Sequence, residues 1–437
     1  MENVALKESE PVDDKPANSA ARVAIASFVG TAVEFYDFYI YGLAAALIIG
    51  PVFFPQADAS AQALSSFATF GIAFLARPIG SALFGHFGDK LGRKTTLVAS
   101  LMIMGLSTFL IGFLPGYATI GFWAPLILCI LRMGQGLGLG GEWGGAALLA
   151  TENAPKGKRA IFGMFPQLGP PIGFVMACGI FLLLNIVLTE TQFFAWGWRI
   201  PFLVSIVLVG VGLYVRLNIV ESTNFTKMKQ TNNHVNVPVL DTIRYHFKAL
   251  VLGSFAMVSC YVLFFLITVF SLQYGTAHLG FSKSQYLEML CIAIVFMAIA
   301  TPISAYLSDH YGRRPVLLVG TAATFIVGYL YGPMLNAGDY LETVIYLSLA
   351  LFVMGFTFSP MGALLPEIFP TNVRYTGSSA TYNIGGILGG SVTPFFAAKL
   401  VAAGGLNYVG WYLCLGAVVS FLAVALLHET KHEDFMK

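Results

Sequence analysis

Residues 33–41 read VEFYDFYIY and place two carboxylic acids, Glu34 and Asp37, inside an apolar run that begins near Ala24 and continues past Ile49. About 20 apolar residues are enough for a helix to span a bilayer, so this run predicts a transmembrane helix. At about 1.5 Å per residue, Asp37 lies near the middle of that helix. An ionisable side chain at this depth is costly unless it is paired or hydrated, so both acids are candidate functional residues.

The composition of the whole chain also indicates a membrane protein. Of its 437 residues, 57% are hydrophobic and 11% are charged, whereas soluble proteins carry about 25% charged residues. The polar, acidic first twenty residues lack an apolar core, so we expect a disordered tail rather than a signal peptide. The five cysteines all fall in apolar runs with no C-x-x-C pair, and we interpret them as core residues rather than a disulfide framework.

Twelve apolar runs follow one another along the chain, and a polar interval divides them into six and six. Each run predicts one transmembrane helix, so the predicted fold class is an all-α membrane protein. The predicted domains are a tail at 1–21, an N-terminal six-helix bundle at 22–217, a linker at 218–247, a C-terminal six-helix bundle at 248–427 and a tail at 428–437.

The distribution of lysine and arginine predicts the orientation, because cytoplasmic loops of membrane proteins carry an excess of both. If the amino terminus is cytoplasmic, Arg199, Lys283 and Lys399 lie toward the outside, and the basic residues of the other loops lie inside. The reverse orientation would invert a strong bias. We therefore expect both termini and the linker on the cytoplasmic side.

Two short patterns occur once in each half of the chain. The string GHFGDKLGRK at 85–94 returns as AYLSDHYGRR at 305–314, about 220 residues later. An acid followed seven residues later by an arginine occurs at 152–159 and again at 367–374. Parallel repeats of six transmembrane helices are the layout of one large transporter fold, in which the substrate site lies near the bilayer midplane between the halves.

Longer strings carry a resemblance to a known family. They are VEFYDFYIYG at 33–42, FATFGIAFLARPIG at 67–80, GHFGDKLGRK at 85–94, LRMGQGLGLGGEWGGA at 131–146, WGWRIPF at 196–202 and PEIFPTNVRYTG at 366–377. With them the chain resembles the major facilitator superfamily and, within it, the metabolite:proton symporters, which include shikimate, 2-oxoglutarate, citrate and proline/betaine permeases. The first and fourth strings are most similar to the shikimate-permease branch.

The resemblance implies a fold, a location and a mode of action. It implies twelve helices in two pseudo-symmetric bundles, in a bacterial inner membrane, working as a monomer by alternating access. It also implies protons and a small molecule as the transported partners, with no cofactor.

A cytoplasmic gate is the role that the resemblance suggests for the repeated loops. Asp89 would face the amino-terminal end of the eleventh helix, where the helix dipole favours an anion, and Arg93 would pair with Glu152. These contacts would hold while the outside is open and break when the inside opens. Charge that only sets the topology is the alternative. The candidate gate residues are Gly85, Asp89, Arg93, Glu152, Arg159, Asp309, Arg313, Glu367 and Arg374.

Two arginines, Arg77 and Arg132, also lie in the middle of apolar runs and need an anion nearby, because arginine stays charged. Our hypothesis is that one of them binds a substrate carboxylate while Asp37, Glu34 or Glu142 carries the proton. The alternative is a set of static salt bridges inside the bundle. The depths of Asp37 and both arginines make mutual pairing feasible.

Uncharged polar side chains complete the predicted substrate site. On the fourth helix, Gln135 shares a face with Arg132 and Glu142. For each of these polar residues, helix packing is the competing interpretation. For the seven glycines at 134–145, helix packing is the role that we predict, rather than a phosphate-binding loop. The further candidate substrate contacts are Tyr41, Gln135, Gln167, Tyr261, Tyr382 and Asn383.

Other function classes find little support in the sequence. There is no Gly-x4-Gly-Lys-Ser/Thr motif of an ATP-driven pump, and the seven histidines fall at helix ends, loops or the tail, which disfavours an enzyme or a metal site. Nothing points to nucleic acid. Two buried arginines favour a small organic acid, such as a dicarboxylate or a hydroxylated ring acid like shikimate. A zwitterion such as betaine or proline, and a uniporter without proton coupling, remain alternatives.

Overall fold

The computed structural model describes residues 20–433 except 92, 141, 218–237, 337 and 372, and it describes their side chains except those of residues 20, 85–97, 216, 238, 239 and 336. Within these residues the fold is helical, as the bilayer requires, because every backbone polar group in hydrocarbon must be bonded internally. The long helices are α1 (Ala20–Leu47), α2 (Ala59–Leu91), α3 (Arg93–Phe113), α4 (Trp123–Glu152), α5 (Arg159–Val187), α6 (Ile200–Leu217), α7 (Phe247–His278), α8 (Lys283–Tyr311), α9 (Arg313–Asn336), α10 (Tyr340–Glu367), α11 (Arg374–Gly404) and α12 (Leu406–Leu426).

The predicted series of twelve transmembrane helices is confirmed. In the described residues, eleven helices are long and apolar enough to cross a membrane, and α3 contributes a shorter apolar stretch, Val98–Phe113. Short helices connect them at Ile49–Phe53, Tyr117–Ile120 and Glu190–Ala195, and an amphipathic helix, Pro238–Tyr245, precedes α7. The six-and-six domain division stays a prediction; residues 20–217 and 247–426 are called the N-terminal and C-terminal halves.

The two faces of the bundle are named by the chain ends. The terminal face carries the loops at 152–159, 311–313 and 367–374 together with the described end of the chain, Glu433, and the distal face lies opposite. The two halves meet along pairs of helices: α5 packs against α8, α2 against α11, and α1 against α7. The centre of the molecule therefore lies between side chains that come from both halves.

One π-helical turn interrupts each of α7 and α11. The turns lie at Leu266–Phe270 and Ile387–Ser391, and the second begins directly after Gly386. Such turns are frequent at functional sites. Here they border the zone where α7 and α11 contact the N-terminal half.

Glycines allow α2 and α4 to approach at van der Waals distance. A Cβ atom on Gly136 would overlap the carbonyl oxygen of Ala73, and one on Gly140 would overlap that of Arg77. On the opposite side of the contact, Gly80 of α2 has no Cβ atom and so leaves room for the Leu137 carbonyl of α4. The packing role predicted for these glycines is confirmed, and it fixes the depth of Arg77 against α4.

Replacing Gly136 with alanine (Gly136→Ala) is expected to destabilise the protein, because the added methyl group must push backbone rather than a flexible side chain. Overpacking of this kind costs about 1–3 kcal/mol, so the unfolding temperature in detergent should fall clearly. Gly179→Ala is the matched control, since nothing lies within 4 Å of its Cβ position. Equal unfolding temperatures for the two variants would contradict the close approach of α2 and α4.

Candidate functional site

Arg77 lies at the centre of the molecule and is 1% exposed. Its guanidinium carbon is 4.4 Å from the ring centroid of Phe38 on α1 and 4.3 Å from that of Phe74, one turn earlier on α2. Its Nε and Nη2 atoms have no hydrogen-bond partner among the described residues. The aromatic faces stabilise the cation, but they leave its donors unused.

Two tyrosines of the C-terminal half face the same cation. The phenols of Tyr261 and Tyr382 lie within electrostatic reach of Arg77, and their rings are 5.5 Å apart. Both hydroxyls are buried without a hydrogen-bond partner among the described residues. Tyr382 stacks on Trp143 at 4.0 Å, and Tyr261 lies parallel to Phe265. The aromatic cage, as we call it, comprises Phe38, Phe74, Trp143, Tyr261, Phe265 and Tyr382.

Arg132 is equally buried but is fully engaged within the N-terminal half. Its Nη2 donates to the carbonyl of Phe70 at 2.9 Å, its Nε to that of Thr69 at 3.4 Å, and its Nη1 to the side chain of Gln135. The ring of Tyr41 covers it at 3.7 Å, and the Tyr41 hydroxyl donates to Thr69 Oγ1 at 2.7 Å. One internal network in this state thus contains three of the predicted substrate contacts, namely Arg132, Gln135 and Tyr41.

Asp37 is 0% exposed, and neither of its carboxylate oxygens has a hydrogen-bond partner among the described residues. The neighbouring hydroxyl of Thr108 donates to the Met104 carbonyl instead and accepts from Gln135 Nε2. Gln135 Nε2 also reaches the backbone oxygen of Asp37 at 3.3 Å. Burying an ionised carboxylate without partners costs several kcal/mol or more, so this environment suits a carboxyl group that carries its proton.

The other two acids lie near Asp37 in the sequence or in space. Glu142 is 2% exposed, accepts a hydrogen bond from Ser100 Oγ at 2.6 Å and lies within electrostatic reach of Asp37. Glu34 is 3% exposed and lies within electrostatic reach of Tyr382. Among the described residues no ion pair joins Asp37 to either mid-span arginine, so the pairing that depth alone made feasible is not formed in this structure.

Two predicted substrate contacts instead tie the halves together between the cage and the terminal face. Gln167 accepts from Trp143 Nε1 at 3.0 Å and donates to the Phe358 carbonyl at 2.8 Å. Asn383 donates to the Gly140 carbonyl at 3.0 Å. Each bond to a carbonyl crosses from one half to the other. The substrate roles of Gln167 and Asn383 stay predictions.

On the terminal face, the second copy of the repeated loop contacts the opposite half. The carboxylate of Asp309 accepts from the backbone N–H groups of Ala160 and Ile161, both at 3.0 Å. These groups lie at the amino-terminal end of α5, where the helix dipole favours an anion. The resemblance predicted this geometry for Asp89 and α11, and by pseudo-symmetry Asp309 makes the corresponding contact.

Ion pairs surround this contact. Arg313 binds Glu367 at 3.0 Å and Asp309 at 3.2 Å, and Arg159 from the other half reaches Glu367 at 3.4 Å. Arg374 donates to two backbone carbonyls at 3.1 Å and lies within electrostatic reach of Glu152 across the interface. Among the described residues, these contacts therefore hold the two halves together on the terminal face. The predicted gate side chains Gly85, Asp89 and Arg93 lie outside the described side chains.

A cavity of about 500 Å³ opens between the halves at the distal face. Six of its residues come from each half, and Glu190 and Lys283 form an ion pair of 3.2 Å across it. Along α1 and α7, the buried rings of Tyr39, Phe264 and Phe265 lie between this cavity and Arg77. The substrate site that we expected near the midplane is filled by aromatic rings in this state. The cavity is lined by Ala46, Leu47, Asn185, Leu188, Glu190, Phe193, Gln273, Thr276, Ala277, Phe281, Ser282 and Lys283.

Sequence reasoning predicted Tyr261 and Tyr382 but missed the other four rings of the aromatic cage, Phe38, Phe74, Trp143 and Phe265. Phe38 directly follows Asp37, and Phe74 lies three residues before Arg77, so helical spacing already places the Phe74 ring beside the guanidinium. Nothing in the sequence indicates that Trp143 stacks on Tyr382, because that contact joins segments about 240 residues apart.

Comparison with known proteins gives one family match and several relatives along nearly the whole chain. A family model described as sugar (and other) transporter matches residues 23–236 and 238–437. The inner membrane metabolite transport protein YhjE of Escherichia coli K12 is 51% identical over 424 residues, covering 96% of either chain. The shikimate transporter of that strain is 37% identical over 94% of this chain and 95% of its own, and its proline/betaine transporter is 33% identical over 98% and 86%.

A solved structure shows the fold independently. The xylose transporter XylE of E. coli, in a partially occluded inward open conformation, covers 95% of this chain and 99% of its own with a TM-score of 0.75. Sequence identity is 16%, so the likeness concerns the arrangement of helices alone.

Proposed function

Because the chain belongs to the sugar (and other) transporter family of the major facilitator superfamily, we propose that it imports a small organic acid together with protons by alternating access. The protein is a multi-pass membrane transporter and not an enzyme. The substrate class, the coupling ion and the direction of transport are the parts of this proposal that need their own support.

One observation carries the choice of an anionic substrate. Arg77 is a buried cation between the two halves, and its Nε and Nη2 have no partner among the described residues. These two donors lie on one edge of the guanidinium and match the two oxygens of a carboxylate. The unpartnered hydroxyls of Tyr261 and Tyr382 add two neutral donors from the opposite half. A bound carboxylate would therefore be held by both halves at once.

Proton coupling rests on Asp37. Its carboxyl group is buried without a partner, an environment that admits the charged form only when water or a cation reaches it. Loss of the proton would thus be linked to the step in which the centre becomes hydrated. Glu142 and Glu34 are the neighbouring acids that would pass the proton onward or share it.

Import follows from the orientation that the basic loops predict. If the terminal face is cytoplasmic, the distal cavity faces outside, and the closed ion pairs of the terminal face form the inner gate. Substrate would enter from the distal cavity, and the rings of Tyr39 and Phe264 would have to separate before it reaches Arg77. Release would then require the contacts of Asp309 and Glu367 to break.

A zwitterion is the second candidate, favoured by the aromatic cage. The rings of Phe38 and Phe74 already contact Arg77, and Trp143 and Tyr382 cover one face of each other. A second cation would therefore bind the remaining ring faces of the cage. The relative that is named a proline/betaine transporter is 33% identical over 98% of this chain. A quaternary ammonium on the cage with its carboxylate on Arg77 would fit the same site.

A panel of organic acids and osmolytes tests the proposal. Purified protein is screened by thermal shift, and each ligand that raises the unfolding temperature is then tested for uptake into proteoliposomes with and without an inward proton gradient. We expect a mono- or dicarboxylate to bind and to accumulate only with the gradient. Stabilisation by zwitterions alone would favour the second candidate, and uptake that a protonophore leaves unchanged would establish a uniporter.

A further inference from the structure

A second cavity, of about 250 Å³, opens on the terminal face, away from the aromatic cage. Its described lining consists of Gly157, Arg159, Arg313, Lys431 and His432, so four of the five residues carry basic side chains. They come from three separate parts of the fold: the start of α5, the start of α9 and the C-terminal tail. The transport mechanism proposed above makes no use of this cavity.

The tail is held over the gate by specific bonds. The carboxylate of Glu429 accepts from the backbone N–H groups of Arg313 and Arg314, both at 2.9 Å. Thr430 donates to Glu367 at 2.5 Å, and the backbone oxygen of Glu433 accepts from both terminal nitrogens of Arg159 at 3.1 Å. This anchoring carries Lys431 and His432 across the Arg159–Glu367–Arg313 ion pairs.

The described acids of this region, Glu367, Asp309, Glu429 and Glu433, are already bonded to other groups. The Glu367 side chain is 1% exposed, and its oxygens are taken by Arg313, Arg159 and Thr430. Asp309 is bonded to α5, and the Glu433 carboxylate pairs with His428 at 2.8 Å. The ammonium of Lys431 donates to the His310 carbonyl at 2.6 Å. The cavity lining itself therefore presents cationic groups with no acid among its described residues.

We propose that this pocket binds a small phosphate-bearing anion, either a free phosphate compound or the phosphate of an anionic lipid headgroup. Two guanidinium groups, an ammonium and an imidazole line one small space. Groups of these types recognise phosphate oxygens, and a bound phosphate would replace the Glu433 and His310 carbonyls that Arg159 and Lys431 now contact. The volume is below the range of about 300–1,000 Å³ that holds drug-sized ligands. It suits a phosphate group rather than a nucleotide.

A consequence for transport follows from the position of the pocket. Arg159 belongs to the N-terminal half, whereas Arg313 and Lys431 belong to the C-terminal half and its tail. An anion bound to all three adds contacts that must break before the terminal face opens. It thus stabilises the closed face and slows transport without entering the substrate site.

Direct binding to the full-length protein tests the proposal apart from transport. Inorganic phosphate is titrated into purified, delipidated protein in detergent at constant ionic strength, and binding is followed by phosphorus NMR line width and by unfolding temperature. We expect saturable binding that chloride does not reproduce. The double variant Lys431→Gln/His432→Gln should bind about tenfold more weakly or worse, the effect of losing charge-assisted hydrogen bonds.

A control variant and a second pocket variant accompany the double variant. Lys156→Gln removes one positive charge from an exposed position on the same face, outside the described lining, and should leave phosphate binding unchanged. His432→Gln alone changes an exposed side chain, so it reports on the pocket even if the double variant folds poorly. Equal phosphate affinity for the wild-type protein and both pocket variants, or an effect reproduced by chloride, would overturn the proposal.

Proteoliposomes distinguish the two sources of phosphate. In phosphatidylcholine vesicles, phosphate on the terminal face should slow uptake by the wild-type protein and not by the double variant if the ligand is a free compound. If the ligand is a headgroup, phosphatidylglycerol vesicles should slow the wild-type protein alone, and added phosphate should then have little effect. The phosphate titration needs no transported substrate, so its result remains valid even if no organic acid in the panel binds. The two proposals are therefore tested independently.

Discussion

Arg77→Gln is expected to abolish binding and uptake of the transported acid while the protein remains folded. Truncating one partner of a buried charge pair costs about 2–5 kcal/mol of binding, so affinity should fall by roughly 100-fold or more. Folding should survive because Arg77 makes no hydrogen bond through Nε or Nη2 to the described residues, and its removal relieves a buried, unpaired cation. Ligand-induced thermal shift and counterflow uptake measure the two effects.

Arg132→Gln provides the matched comparison, because the two arginines are equally buried but differently bonded. Arg132 donates to the carbonyls of Thr69 and Phe70 and to Gln135, so its loss removes three buried hydrogen bonds and leaves the Gln135 side-chain oxygen without this donor. This variant should therefore unfold at a lower temperature, by an amount that corresponds to about 3 kcal/mol or more. Normal substrate affinity in Arg77→Gln, or the same stability loss in both variants, would refute the distinct roles assigned here.

The helices were predictable because the bilayer leaves little choice. A chain in hydrocarbon must form long apolar helices, so composition and run length predict the twelve helices, and the motif resemblance is confirmed by the family match. The role of the glycine-rich stretch at 134–145 was predictable for a similar reason: small residues in a transmembrane helix pack against backbone.

The sequence did not predict which groups the buried polar side chains would contact inside the bundle. Arg77 and Arg132 both lie in mid-span, and depth alone places either of them beside Asp37. The structure separates them through tertiary contacts: Arg132 donates to buried backbone carbonyls of α2, whereas Arg77 faces aromatic rings from both halves. The amide side chains of Gln167 and Asn383 were predicted to contact the substrate or to take part in helix packing. The sequence did not indicate that backbone carbonyls of the opposite half would accept their hydrogen bonds.

The gate illustrates a prediction made for one copy and observed in the other. The loop at 85–94 has its side chains outside the described set, but Asp309 in the second copy caps α5 as the resemblance predicted for Asp89 and α11. The tail was not part of the predicted gate. Its contribution through Glu429 and Thr430 depends on the path of the chain after α12, which no local pattern in the sequence specifies.

Asp37→Asn is expected to abolish accumulation against a gradient while leaving exchange across the membrane intact. Asparagine has nearly the shape of a protonated aspartic acid, so it preserves the packing at a site where the carboxylate oxygens make no hydrogen bond to the described residues. It cannot release a proton, however. Proton-driven uptake should therefore fall to the level of a protonophore-treated control, whereas counterflow of labelled substrate should stay within about a factor of two or three of wild type.

The pH dependence of exchange sharpens this test. In the wild-type protein, exchange should vary with pH because Asp37 must regain its proton before the centre closes again, and in Asp37→Asn this variation should disappear. Glu142→Gln is the comparison: Glu142 accepts a hydrogen bond from Ser100, so a loss of coupling confined to this variant would assign the proton to Glu142 instead. Uphill uptake that survives intact in Asp37→Asn would remove the proton role from Asp37, because the amide has no proton to exchange, and would leave Glu34 and Glu142 as the candidate acids.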